Sequence, residues 1–268
     1  MKMTSPNRIR WILAIALLCG LSAWSCKEKP VEIAPEIAAS DEALYKAGQE
    51  LIQKDAEKAR LYFRQVIDSF PKSFYAQRAK LAIADTYAKK NDESSLILAA
   101  AEYREFIQLY PYSPSASYAQ YQIAVTYFKN ALKPGRDQTK TSQALIEFRK
   151  VLTNYPLSEE AKLAQKQISE CEERLAVHNF TIGQHYYQRR AYKASTSRLT
   201  EILTTFPSFS MMDEVYFYLA DSYYKWNKIE ESVPYFTKLV TDFPESKYAK
   251  KAQNRLAEID KTAKKLDQ

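Results

Sequence analysis

Few residues in this chain could do covalent or metal chemistry, and their spacing argues against most of it. Among 268 residues there are two histidines, His178 and His185. They stand seven apart, whereas helical metal pairs sit at i, i+4 with a further ligand nearby. No cysteine or acidic constellation joins them, so both read as packing or surface residues and no metal site is nominated. Phosphate cradles, dinucleotide fingerprints and nucleophile elbows need closely spaced glycines. The chain has 4 glycines, Gly20, Gly48, Gly135 and Gly183, and no two are near enough to build such a loop. No nucleophile–base–orienter set is visible either. The reading is a non-enzyme with no catalytic residue and no cofactor.

Cys26 is the exception, because its surroundings specify a reaction. Residues 1–25 hold Lys2, Arg8 and Arg10 and no acid, followed by the apolar run Trp11 to Leu21. That run is too short to span a membrane and has the order of an export signal. Leu21-Ser22-Ala23-Trp24-Ser25-Cys26 resembles the lipobox of bacterial lipoproteins, in which the cysteine is diacylated and becomes the mature N-terminus. The resemblance implies a signal peptide over 1–25 and lipidation of Cys26. The absence of Asp after Cys26 favours the outer membrane. With the signal go three positive charges, which lowers the net charge from +7 to +4. The remaining basicity is spread along the chain, unlike the concentrated patch of a nucleic-acid binder. Cys19 leaves with the signal and Cys26 carries lipid, so Cys171 is alone and no intrachain disulfide can form. Residues 26–40 read as a polar, Pro-punctuated tether whose residues 27–40 reach about 40 Å when extended.

The elements that follow are organised by a repeat. An aromatic residue precedes proline five times: Phe70-Pro71, Tyr110-Pro111, Tyr155-Pro156, Phe206-Pro207 and Phe243-Pro244. Twelve residues before each proline stands a small residue: Ala59, Ala99, Ala144, Ser195, Ser232. Eight before stands a large one: Phe63, Tyr103, Phe148, Leu199, Phe236. Five before stand Val66, Phe106, Val151, Ile202 and Leu239. Upstream of each block lies a small residue with a large one three later: Gly48 with Leu51, Ala84 with Tyr87, Ala124 with Tyr127, Gly183 with Tyr186, Ala220 with Tyr223. This resembles the tetratricopeptide pattern, a helix pair in which small residues let two helices approach. Repeats 2 and 3 carry extra residues around Asn91–Ser95 and Lys133–Thr141. Ser73, Ser113, Ser158 and Ser246 follow their prolines and suit N-caps, with Pro114 at a first helical position. Pro234 should delay or kink the second helix of repeat 5.

No breaker interrupts Pro156 to Gly183. Ala161, Ala164, Ile168, Cys171, Leu175, His178, Ile182 and Tyr186 predict one apolar seam on a single helix from Glu159 to about Arg189, roughly 46 Å long. Tyr248 to Leu266 reads as a charged closing helix, the polar end a solenoid needs. The fold class expected is all-α: a solenoid of five TPR-like helix pairs with a C-terminal capping helix. Residues 41–156 would hold repeats 1–3, and 157–268 the long linking helix, repeats 4–5 and the cap.

Three segments sharpen the resemblance to the BamD family, the lipoproteins of the outer-membrane β-barrel assembly machinery. They are Tyr110-Pro111-Tyr112-Ser113-Pro114 through Tyr121, the long helix ending Glu173-Arg174-Leu175-Ala176, and His185-Tyr186-Tyr187-Gln188-Arg189-Arg190-Ala191-Tyr192-Lys193-Ala194 leading to Arg198. The resemblance implies a role without an active site. It implies binding of the periplasmic domains of a BamA-like protein by the C-terminal repeats, association with other Bam lipoproteins, and receipt of unfolded outer-membrane protein segments by the N-terminal repeats. It places Arg198 near the BamA contact, and the chain on the outer membrane, lipid-anchored and facing the periplasm.

Residues following the small helix-A position are expected to face the concave groove: Asp85, Lys89, Phe128 and Lys129 as a peptide groove, and Gln184, Tyr187, Asp221 and Tyr224 beside the partner contact. Aromatics flanked by charges there suit an extended peptide. A different class of reading is another TPR envelope lipoprotein scaffold, such as a CpoB-like cell-envelope coordinator or a protease adaptor. CpoB-like chains usually carry an N-terminal coiled coil, which residues 27–40 cannot hold.

Overall fold

The computed structural model describes residues 33–266. Residues 1–25, read above as a signal peptide, and Cys26 lie outside the described residues. Twelve helices run through the described part. A single turn, α1 (Pro35–Ala38), leads into the pairs α2 (Asp41–Leu51) and α3 (Ala56–Ser69), α4 (Phe74–Lys90) and α5 (Glu93–Leu109), and α6 (Ala116–Lys129) and α7 (Thr139–Asn154). The long α8 (Glu159–Gln188) pairs with α9 (Tyr192–Thr205), α10 (Met212–Lys225) with α11 (Ile229–Asp242), and α12 (Ala249–Leu266) closes the stack. The architecture is an all-α solenoid of five TPR-like helix pairs with a capping helix. No helix among the described residues is long and apolar enough to cross a membrane.

The repeat positions pack as their sizes require. The small residues Ala59, Ala99, Ala144, Ser195 and Ser232 are fully buried, as are Val66, Phe106, Val151, Ile202 and Leu239. Between them Phe63, Tyr103, Phe148, Leu199 and Phe236 fill the gap to the facing helix. Two of the facing positions demand glycine. A Cβ on Gly48 would lie 2.6 Å from the Phe63 ring, and one on Gly183 would lie 2.7 Å from Leu199 Cδ2. Each pair closes on the same device. Phe70, Tyr110, Tyr155, Phe206 and Phe243 share φ between −131° and −136° and ψ between 52° and 61°, and each N–H still bonds the carbonyl four residues back. The following proline excludes the helical conformation from the aromatic residue, so the helix stops there.

The serines after the prolines do more than cap. Ser73 and Ser158 accept from the N–H groups of Tyr75 and Ala161 at the heads of α4 and α8. Ser73 also donates to Asp41 at the head of α2, and Ser246 donates to Asp213 near the head of α10 at 2.5 Å. The heads of the first helices of successive pairs therefore lie along one edge of the stack, beside the Pro turns. Ser113 departs from the cap expectation: α6 starts at Ala116 after Ser115, and Pro114 precedes the helix instead of opening it. Ser246 likewise bonds Tyr248 N–H in the turn before α12. Pro234 does not delay α11, which runs through it from Ile229. Pro234 is exposed, so the carbonyl its missing N–H leaves free is within reach of water.

Within the span read as a tether, Ile33 and Ile37 pack against the core of the first pair, beside Leu44, Tyr62 and Phe63. The seam expected along α8 is corrected in its second half. Ala161 is buried, and Ala164, Ile168 and Cys171 are buried against α7, but the buried set then becomes Ala176, Phe180 and Gly183. Leu175, His178, Ile182 and Tyr186 are only half-buried. The shift of one residue turns the buried face by about 100°, because α9 and α10 pack on a different side of α8 from α7. Leu175 touches both cores. The insertion before α7 is ordered around Gln138, whose amide donates to the carbonyls of Lys133, Arg136 and Asp137. His178 Nδ1 lies 2.7 Å from the Pro134 carbonyl oxygen, and since that oxygen only accepts, Nδ1 carries the proton. The loop thus ties α8 to the third pair.

Candidate interaction groove

The candidate groove lies at the C-terminal end, where α8, α10 and α12 meet. Ala220 is fully buried at the α10–α11 contact, which turns the next residue toward α8. Asp221 is only 3 % exposed there. Its carboxylate accepts from Tyr187 Oη at 2.5 Å, pairs with Lys225 Nζ at 2.9 Å and stands 3.5 Å from Arg255 Nε. Lys225 also donates to Tyr187 Oη at 2.5 Å and sits over that ring. Burial raises the Tyr187 pKa, and the bond to Asp221 adds to it. For Lys225 burial works against the charge, but the bonds to Tyr187 and Asp221 outweigh it and the pKa is raised. At neutral pH the phenol therefore stays neutral and Lys225 stays charged, both on the Asp221 side chain.

The walls are aromatic. Phe217 and Tyr248 stack with centroids 4.4 Å apart, and Tyr218 meets Tyr187 edge-on at 5.1 Å. Lys251 lies 5.6 Å from the Tyr248 centroid, and Arg255 lies 4.7 Å over Tyr224. The opening holds about 550 Å³. Aromatic faces rimmed by cations, with one buried acid already neutralised, suit a chain segment offering apolar rings and carboxylates.

Of the residues expected at a site, Tyr187, Asp221 and Tyr224 come together here. Arg198 does not: it is exposed on α9 and pairs with Glu201 at 3.5 Å. A second surface at the α8–α9 turn holds an apolar pocket of about 550 Å³ lined by Arg190, Ala191, Tyr192, Lys193, Ser197 and Trp226; Arg198 follows Ser197 in sequence but does not line it. Arg190 adopts φ 60° where α8 turns into α9, as Asn91 (φ 56°) and Asn227 (φ 61°) do in the corresponding turns.

The four residues expected as a peptide groove on the N-terminal repeats are not one cluster. Asp85 is committed between helices, accepting from Tyr103 Oη at 2.5 Å and Tyr118 Oη at 2.8 Å. Burial raises its pKa, against the lowering effect of those two bonds. Phe128 is half-buried against Phe148 and lies under Arg174 at 4.8 Å. Lys89 and Lys129 are exposed, with Lys89 Nζ on the Gln53 side chain. Sequence reasoning missed Phe217, Tyr218, Tyr248, Lys251 and Arg255. The i, i+3, i+7 spacing of Tyr248, Lys251 and Arg255 would have aligned the aromatic residue just before α12 with two cations on one face of it.

Five stacked helix pairs with a concave face and a turn pocket define the class, a tetratricopeptide-type solenoid. The particular family follows from the chain itself: residues 37–231 match the YfiO model, described as outer membrane lipoprotein, and the chain belongs to that family. The outer membrane protein assembly factor BamD of Caulobacter vibrioides is 29% identical over 198 residues, covering 74% of this chain and 61% of its own length. The match thus spans less than two thirds of that relative. BamD of Rickettsia prowazekii is 25% identical over 244 residues, covering 88% of this chain and 93% of its own. Among solved structures, the TPR2AB domain of yeast Sti1 in its Hsp90 complex aligns with 87% of this chain and 90% of its own, at 15% identity and a TM-score of 0.40.

Proposed function

We propose that the protein is a non-enzymatic, lipid-anchored scaffold for assembly of outer-membrane β-barrel proteins, held on the outer membrane and facing the periplasm. Its C-terminal repeats bind the periplasmic domains of a BamA-like protein, and it works beside other Bam lipoproteins. In place of the N-terminal repeats, whose expected groove residues do not cluster, the groove of α8, α10 and α12 receives unfolded outer-membrane protein segments. Family membership and the names of its relatives support the role. The observation that carries the partner contact is the basic and apolar surface at the α8–α9 turn. There Arg190 and Lys193 line a pocket with Tyr192 and Trp226, and Arg189 and Arg198, near them in sequence, are exposed. Arginine beside a partly buried tryptophan is a common composition at the centre of an interface.

Capture of the lipidated chain from envelope membranes should recover a large β-barrel protein with repeated periplasmic domains. Recovery of some other envelope complex in its place would overturn the reading. Arg198→Glu should weaken that binding roughly tenfold, about 1.4 kcal/mol, with circular dichroism unchanged. An unaltered affinity would remove Arg198 from the contact. Lys251→Ala should leave that affinity intact and weaken binding of unfolded barrel segments, which separates the two surfaces.

A further inference from the structure

The described chain exposes large apolar side chains unevenly. All of them lie between Leu61 and Leu163, and none lies in residues 164–262. The two most open are Tyr112 and Leu157, each 98 % exposed. They occupy one position in successive repeats, directly after Pro111 and Pro156. Lys72, Ser208 and Glu245 fill that position in the other three turns. Phe74, Leu109 and Leu163 are exposed beside these turns. Nothing within the fold requires such residues there, since polar ones close the other turns equally well.

The chain enters the fold at this same edge. Residues 33–39 lead into Asp41 at the head of α2, and Asp41 is tied to Ser73 in the first Pro turn. Only six residues, 27–32, separate Cys26 from Ile33, and Ile33 already packs on the first core. Seven chain steps reach at most about 25 Å. An acyl chain on Cys26 therefore keeps the first Pro turn within about 25 Å, plus the short run from Ile33 to Asp41, of the bilayer surface.

We propose that the Pro-turn edge of repeats 1–3 rests on the phospholipid surface, with Tyr112 and Leu157 inserted at headgroup depth. Tyrosine is enriched at that depth because its ring is apolar and its hydroxyl stays hydrated. The contact orients the stack, while the acyl group holds it. Both signs of charge occur along the edge, Lys72 against Glu159 and Glu160, so the contact is apolar in origin and does not require anionic lipid. This inference rests on the reading of Cys26 as the acylated residue.

The test uses the mature lipidated chain in zwitterionic phospholipid vesicles. Cysteine is introduced singly by Tyr112→Cys, Leu157→Cys, Ser208→Cys and Glu245→Cys, and each is labelled with an environment-sensitive fluorophore. Cys171 is buried and Cys26 is blocked by thioether formation, so the label goes to the new thiol. All four positions are exposed, and folding is not at stake. Expected is a blue shift at 112 and 157, with loss of emission to spin-labelled lipid, and neither effect at 208 and 245. Four water-exposed probes on a vesicle-bound chain would overturn the inference and leave the anchor standing. Shielding at 112 and 157 without lipid quenching would overturn it in favour of a protein surface. A mature chain without acyl groups on Cys26 by mass spectrometry would overturn anchor and edge together.

Discussion

Gly183 faces Leu199 across the α8–α9 contact, and its missing side chain is what lets Leu199 occupy it. Both partners are fully enclosed, so an added methyl has no free space to displace. Gly183→Ala should cost about 1–3 kcal/mol, read as a lower urea midpoint with an unchanged slope. Gly135→Ala should cost almost nothing, since nothing lies within 4 Å of the added Cβ. Asp85 makes a pH-dependent counterpart. Burial holds its carboxyl above the usual 3.8, so the folded state binds the proton more tightly than the unfolded one. Stability from this group is therefore fullest below 3.8 and falls as pH rises toward the native value. Urea midpoints of Asp85→Asn relative to the parent should rise over that window. Cys171, buried on α8 with its thiol pushed up to about 12 by burial, should resist thiol reagents at pH 8 until the chain is unfolded.

At the scale of elements, α8 carries the most demanding task, because it serves two cores on two of its faces. Leu175 lies where the face changes and touches both. Leu175→Ala should cost about 2 kcal/mol and raise amide exchange in α7 and in α10 together, whereas Ile168→Ala should affect α7 alone. The second helices of the pairs were legible in the sequence because one residue size at one offset corresponds to one contact, as with Ala144, Phe148 and Val151. The change of face on α8 was not legible. The run Leu175, His178, Ile182 keeps an apolar period that the preceding helix supports, and only the position of α9 and α10 selects Ala176, Phe180 and Gly183 instead. The groove was half legible for a similar reason. Tyr187 and Asp221 follow from repeat spacing, but Tyr248, Lys251 and Arg255 meet them only because the closing helix and the turn before it pack on the last pair. Asp85 occupies the position in repeat 2 that Asp221 holds in repeat 5, yet Tyr103 and Tyr118 close over it.

For the whole molecule, α8 sets the relation between the two halves. Its head at Glu159 lies in the third Pro turn, while Glu173 bonds Ser210 in the fourth. Fourteen helical residues separate them, so the Pro-turn edge steps by about 21 Å between repeats 3 and 4. Glu172→Pro would break the helix at the step, at a cost of about 3 kcal/mol. Helical content should stay nearly constant while small-angle scattering reports a changed maximum dimension. A scattering profile identical to the parent would mean that the His178–Pro134 tie and the flanking cores hold the halves without a continuous helix.

The turn at Arg190 has one more consequence. Asparagine tolerates a left-handed backbone and occupies the equivalent turns at Asn91 and Asn227, but arginine adopts it only at a cost of about 1–2 kcal/mol. Arg190 borders the turn pocket with its side chain in solvent, so the folded monomer gains nothing evident in return. Arg190→Asn should then yield a sturdier molecule that is a poorer associate: a higher melting temperature and a weaker complex from one change. That trade would identify Arg190 as a residue whose backbone strain serves association at the expense of the fold.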